Sequence, residues 1–226
     1  MDSFDANQNR PTVAAFAVAS LLITSAEARN QAGLPPLERQ AHGQTITSLR
    51  SPAVDVTVDP AFTYVGGQRV TLSGNADAEL HLFAKTGAGV VQSFCWIQFE
   101  HFLPSNSMRY DAASTRTLEI GGISFYVDGL GYADFAAIQS SQPDSDGAAA
   151  VAILAKRQLT FAKRVARVRM FHFPDADRRS ELMIIYGESL PPTFAIPNGA
   201  ARFALDSGIT ASIIEHMQQA LTIWRQ

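Results

Sequence analysis

Apolar and polar positions alternate with a period of two through most of the chain and change to helical spacing in two places. Phe62–Val65 and Gln68–Leu72 flank Gly66-Gly67, and Thr117–Ile120 and Ile123–Val127 flank Gly121-Gly122. Each predicts a hairpin, because paired glycines supply the positive φ angles of a tight primed turn. Glu79–Lys85 and Val90–Phe102 predict longer strands joined by Thr86–Gly89. Arg164–Phe173 and Glu181–Gly187 predict two more, linked through Pro174–Asp177. Ala148–Gln158 carries Val151, Leu154 and Ala155 at helical spacing behind the cap cluster Asp144–Asp146, which predicts a helix. From about Ser207, the residues Ile209, Ile213, Met217, Leu221 and Trp224 form one stripe, with Glu215, Gln218 and Arg225 pointing away. The expected class is α+β. It is a curved antiparallel sheet of about 6–8 strands, built as a meander, with a mid-chain helix and a C-terminal amphipathic helix on one face.

The ends of this pattern set the domain boundaries. Val13–Ile23 is a short uncharged apolar run that closes on Ala26-Glu27-Ala28, the layout of a secretory signal peptide over residues 1–28. The preceding MDSFDANQNR is not basic, so a buried first helix is the alternative reading. A retained anchor is disfavoured, since Pro11–Ala26 falls below the roughly 17–25 residues of a membrane-spanning helix. Residues 29–53 are polar and broken by Pro35-Pro36 and Pro52, which predicts a linker. Residues 54–226 then form one domain.

Removing residues 1–28 takes the formal charge from −3 to −1. A nearly neutral domain has no field to attract nucleic acid or an anionic membrane. Cys95 is the only cysteine, so no intrachain disulfide forms. No second long apolar run exists, and the mature chain is expected to be soluble, exported, and periplasmic or extracellular.

Candidate chemistry concentrates in VVQSFCWIQFEHF, Val90–Phe102. One face carries Val91, Ser93, Cys95, Ile97, Phe99 and His101. The other carries Gln92, Phe94, Trp96, Gln98, Glu100 and Phe102. Trp96, Gln98 and Glu100 place polar groups among aromatics, as a small-molecule pocket does; the structural alternative is that Phe94, Trp96 and Phe102 pack under a helix while the polar ends satisfy neighbours or reach the rim. Arg167 and Arg169 share a strand face and are candidates for holding an anionic group, with pairing to Glu181 or Glu188 as the structural alternative. His81, His101 and His172 lack the spacing that sets two metal ligands on one face, so no metal site is expected. Gly187-Glu-Ser189 lacks the second glycine of a nucleophile elbow and runs into Pro191-Pro192. Asp144–Gly147 lacks the later oxygen ligands of a calcium loop. No phosphate loop or dinucleotide fingerprint is present, and no cofactor is expected.

Asn75–Phe83, Trp96–Glu100 with Leu103-Pro104, and Arg179–Glu188 together resemble a group of bacterial proteins of unassigned function, across about Val70 to Leu190. The resemblance implies a bacterial origin and a single domain and carries no activity. The functional expectation is a non-enzymatic protein that binds a small apolar or anionic ligand between sheet and helix. Its candidate binding residues are Trp96, Gln98, Glu100, Arg167 and Arg169. One alternative is a hydrolase or lyase using Glu100 or a strand histidine. Another is an envelope structural or interaction protein, marked by an exposed apolar patch on the last helix.

Overall fold

The computed structural model describes residues 35–112 and 114–226, so the apolar run and its cleavage motif lie outside the described residues. Residues 35–226 form one compact unit. Thirteen strands build two sheets. The smaller has the order β1 (Gln40–His42), β2 (Thr45–Ser48), β3 (Val54–Val58), β13 (Leu221–Arg225). The larger runs β12 (Arg202–Ala204), β8 (Ile123–Tyr132), β10 (Val165–His172), β11 (Ser180–Ser189), β6 (Val90–Phe102), β5 (Ala76–Gly87), β4 (Thr63–Leu72). At its margins β7 (Thr117–Ile120) pairs with β8 and β9 (Thr160–Phe161) with β6. Only the short β6–β9 pair is parallel. Among the described residues three α-helices complete the α+β arrangement: α1 (Phe135–Gln139), α2 (Asp146–Ala155) and α3 (Ser207–Ala220). No helix among the described residues is long and apolar enough to cross a membrane.

Two hairpins follow directly from local sequence. Gly121 and Gly122 take φ +58° and +74° between β7 and β8. Ala88 and Gly89 do the same, at +50° and +79°, between β5 and β6. The Phe62–Leu72 segment corrects the expected hairpin. It is one strand, β4, paired along its length with β5 and interrupted by a bulge at Val65. The extra residue turns Val65 into the core. Gly67 is required for close approach, since a Cβ there would lie 2.8 Å from the Tyr64 hydroxyl and 3.0 Å from His81 Nδ1.

The large sheet is buried on both faces, and the two helices expected on one face lie on opposite faces. Leu80, Leu82, Phe94 and Trp96 pack with Ala149, Ala150, Ile153 and Leu154 of α2. Phe83, Cys95, Ile97, Val168 and Ile184 pack with Val56 and Ile223 of the small sheet and with Ile213 and Met217 of α3. Ser145, inside the expected cap cluster, caps α2 by accepting from Ala148 N–H at 3.1 Å.

Three further corrections concern long-range pairing. The segment read as a linker holds β1 and β2, and β2 pairs with β3 from Thr45/Thr57 to Ser48/Val54. The last stripe is not continuous helix: α3 ends at Ala220, and Leu221–Arg225 pair with Val58–Val54. Leu221 is therefore buried through a strand, while Trp224 is exposed. The meander holds for β4–β5–β6 only, because β11 and β10 come between β6 and β8.

Candidate functional site

The five candidate binding residues share the sheet face that meets α2. Trp96 Nε1–H donates to Gln98 Oε1 at 3.0 Å, and Gln98 Nε2–H donates to Glu100 Oε2 at 2.7 Å. The Tyr110 hydroxyl donates to Glu100 Oε1 at 2.6 Å. This chain satisfies Trp96 and Gln98 inside the protein, where both are buried. Arg167 donates through Nε to the Tyr132 hydroxyl at 2.9 Å, and Arg169 through Nε to Asp128 Oδ2 at 3.1 Å. Asp128, across the β8–β10 pair, is thus the arginine partner in place of the expected Glu181 or Glu188. Glu181 stands directly opposite Glu100, and burial together with the Glu100 charge pushes its carboxyl up to about 8. Burial also raises Glu100, against its hydrogen bonds from Tyr110 and Gln98. The structure therefore satisfies these residues in two separate networks, Trp96–Gln98–Glu100 with Tyr110, and Arg167 and Arg169 with Tyr132 and Asp128.

The strand histidines part company. His81 is buried, accepting or donating between Tyr64 at 3.1 Å and Glu79 at 3.0 Å. His101 is exposed, and its alternation places it on the face opposite Glu100. His172 Nδ1 bonds the Ser124 carbonyl at 3.0 Å. Among the described residues no three His, Cys, Asp or Glu side chains gather as a metal site. Cys95 is fully buried, and burial pushes its thiol far up, which suits an inert core residue.

Three clefts are lined by described residues, and none of the three borders Trp96, Gln98, Arg167 or Arg169. One, of about 340 Å³, is bordered by Glu100 and Glu181 with Arg39, Arg50 and Arg179. Another, of about 220 Å³, lies beside Tyr64 and Arg157. The largest, about 470 Å³, opens between the large sheet and α3 and holds the densest chemistry. Its sheet wall includes Lys85 of β5, Ser93 of β6, and Tyr186 and Glu188 of β11; its helix wall carries His216 and Gln219.

Strand alternation explains the sheet wall. Leu182, Ile184 and Tyr186 face the α3 side, and Glu188 continues that row where the core ends. α3 is anchored by Ile213 and Met217, which leaves His216 at the margin of the buried stripe. The strand carboxylate and helix imidazole then meet: His216 Nδ1 lies 2.9 Å from Glu188 Oε1. The Tyr186 hydroxyl donates to the same oxygen at 2.7 Å. Burial and the neighbouring carboxylate push the Tyr186 phenol far up, so it stays a donor. With Nδ1–H donating to Glu188, the neutral form of the His216 ring has Nε2 as its acceptor, and the side chain borders the cleft. Lys85 sits with its ammonium 4.3 Å from the Phe62 ring centroid, and Phe62 meets Tyr186 edge-on at 6.3 Å. Among the described residues Lys85 makes no ion pair.

Sequence reasoning did not single out Lys85, Tyr186 or His216. One signal was present, since Glu188 continues the apolar strand face of Leu182, Ile184 and Tyr186 with a charge. The pairing of Glu188 with His216, 28 positions apart, is tertiary. No family model, no curated protein and no solved structure matches this chain.

Proposed function

We propose that this chain is a small-ligand-binding domain whose ligand occupies the cleft between the large sheet and α3. The carrying observation is a cavity of about 470 Å³ walled by Lys85, Glu188 and His216 from three separate elements. That volume lies within the roughly 300–1,000 Å³ of small-molecule sites. The lining favours a polar ligand with an anionic group over an apolar one. Trp96, Gln98, Glu100, Arg167 and Arg169 stay on the opposite face as two self-satisfied networks that stiffen the sheet. The apolar run Val13–Ile23 with Ala26-Glu27-Ala28 supports export of the domain, and N-terminal sequencing of secreted protein should begin at Arg29.

A thermal-shift screen of small polar metabolites tests the binding reading. A true ligand raises the melting temperature of the wild type, because binding the folded state adds about 2.7 kcal/mol at a hundredfold excess over Kd. Lys85→Met and Glu188→Gln should lose that gain. Ligands that stabilise wild type and both variants equally would contradict the assignment.

The His216–Glu188 contact favours a second reading, a hydrolase or lyase in the same cleft, with His216 as general base oriented by Glu188. This places the acid–base pair away from Glu100 and the strand histidines. Consumption of a screening hit by wild type but not by His216→Ala would select this reading; unchanged hits select binding alone.

A further inference from the structure

We propose that the cleft recognises a small hydroxycarboxylate, with the carboxylate at Lys85 and the hydroxyl hydrogen at His216 Nε2; this rests on the cleft being the ligand site. The Lys85 side chain is half-buried, stacks on Phe62 at 4.3 Å, and has no carboxylate within ion-pair distance among the described residues. An aromatic face stabilises an ammonium only in part. A partly desolvated cation on a cavity wall therefore has no carboxylate in direct contact, although Asp59 and Glu188 border the same cleft. One anionic oxygen pair on the ligand supplies that contact.

The other wall selects a donor. Glu188 Oε1 already receives the Tyr186 hydroxyl and His216 Nδ1, at 2.7 and 2.9 Å. The bond from Nδ1–H to Glu188 orients the imidazole, and in the neutral ring it leaves Nε2 as the acceptor. A ligand O–H directed at Nε2 completes the ring's hydrogen bonding, whereas a bare alkyl chain leaves it unmet. Charge then discriminates among anions. Asp59 and Glu188 border the same cleft, so a multiply charged phosphate meets two carboxylates against the single ammonium of Lys85. A monocarboxylate bearing one hydroxyl adds a single charge beside Lys85, so Asp59 and Glu188 oppose it less than they oppose a phosphate. Ser93, Gln92 and Gln219 add neutral donors and acceptors around it.

The test is a titration followed by amide NMR with two matched pairs, lactate against propionate and 3-hydroxybutyrate against butyrate. The pairs differ by one hydroxyl at two spacings from the carboxylate. In at least one pair the hydroxy acid should bind about tenfold more tightly, equivalent to about 1.4 kcal/mol. Lys85→Met should lose both members of that pair. His216→Phe should keep carboxylate binding and erase the preference. The dispersion of the amide spectrum checks folding, and Lys85→Gln replaces the methionine variant if that one unfolds. Equal binding within both pairs, or binding that survives loss of Lys85, overturns the proposal. If all four acids fail while other compounds perturb Lys85, Glu188 and His216, the ligand class falls and the cleft assignment stands. Perturbations elsewhere for every compound defeat both.

Discussion

Glu79 and Glu181 lie on the same sheet, and burial pushes both carboxyls up, yet they end on opposite sides of the ordinary value. Around Glu79, burial is outweighed by hydrogen bonds from His81 and from the Glu38 and Arg39 backbone N–H groups, the latter two at 2.8 Å. Its carboxyl is held below the usual 4.5. The stability it contributes is present above 4.5 and is lost as pH falls through its folded value. Glu181 receives no such bonds and faces Glu100, so it is raised to about 8. Its contribution is complete below 4.5 and is lost as pH rises through about 8. Thermal melts from pH 3 to 9.5 should show both limbs. Glu181→Gln should remove the alkaline limb and leave the acid one. Glu79→Gln should lower stability by about 2–3 kcal/mol at neutral pH, because Arg39 and the two backbone donors lose a charged acceptor. A wild type whose melting temperature stays flat to pH 9.5 would contradict the account of Glu181. The polar face of Trp96, Gln98 and Glu100 was legible from alternation alone. That its polar ends satisfy one another under a helix was one of the two readings alternation allowed; the partner Tyr110 was not legible, because it arrives from another segment.

At the scale of elements, the C-terminal strand joins the parts of the fold that local pattern does not connect. β13 completes the small sheet against β3, and the turn of the β7–β8 hairpin packs against its backbone. A Cβ on Gly121 would come within 1.9 Å of the Ile223 carbonyl oxygen, and its φ of +58° also favours glycine. Gly121→Ala should therefore destabilise by at least about 2 kcal/mol, read as a drop in the urea midpoint. An unchanged midpoint would show that the turn does not press on β13. Asp206 caps α3 through Ile209 N–H at 2.8 Å, and Asp206→Ala should cost about 1 kcal/mol. The glycine pair that made this hairpin readable is the same device that misled at Gly66-Gly67. There β5 offers an uninterrupted partner, and a bulge absorbs the extra residue. The end of α3 was equally illegible, since Ile209, Ile213, Met217, Leu221 and Trp224 fit helical spacing. The competing pairing with β3, far away in sequence, takes Leu221 onward into a strand.

For the whole molecule, a sheet buried on both faces leaves function to its margins. The α2 face is filled by Trp96 and its neighbours, and the α3 face is filled until the core runs out at Tyr186. The sheet–helix cleft lies at that margin, where Glu188 ends the row of Leu182, Ile184 and Tyr186 and is joined by Lys85 and His216. The sequence reading set a pocket between sheet and helix beside Trp96, and none of the three clefts borders that residue. Large aromatics read the same whether they line a cavity or fill one. The most direct measurement is residue-resolved amide NMR of the wild type against a polar fragment library. The account predicts that ligand-induced shifts cluster at Lys85, Ser93, Glu188, His216 and Gln219 and vanish in Lys85→Met. Shifts centred on Trp96, Gln98 and Arg169, with the α3 side unmoved, would contradict it.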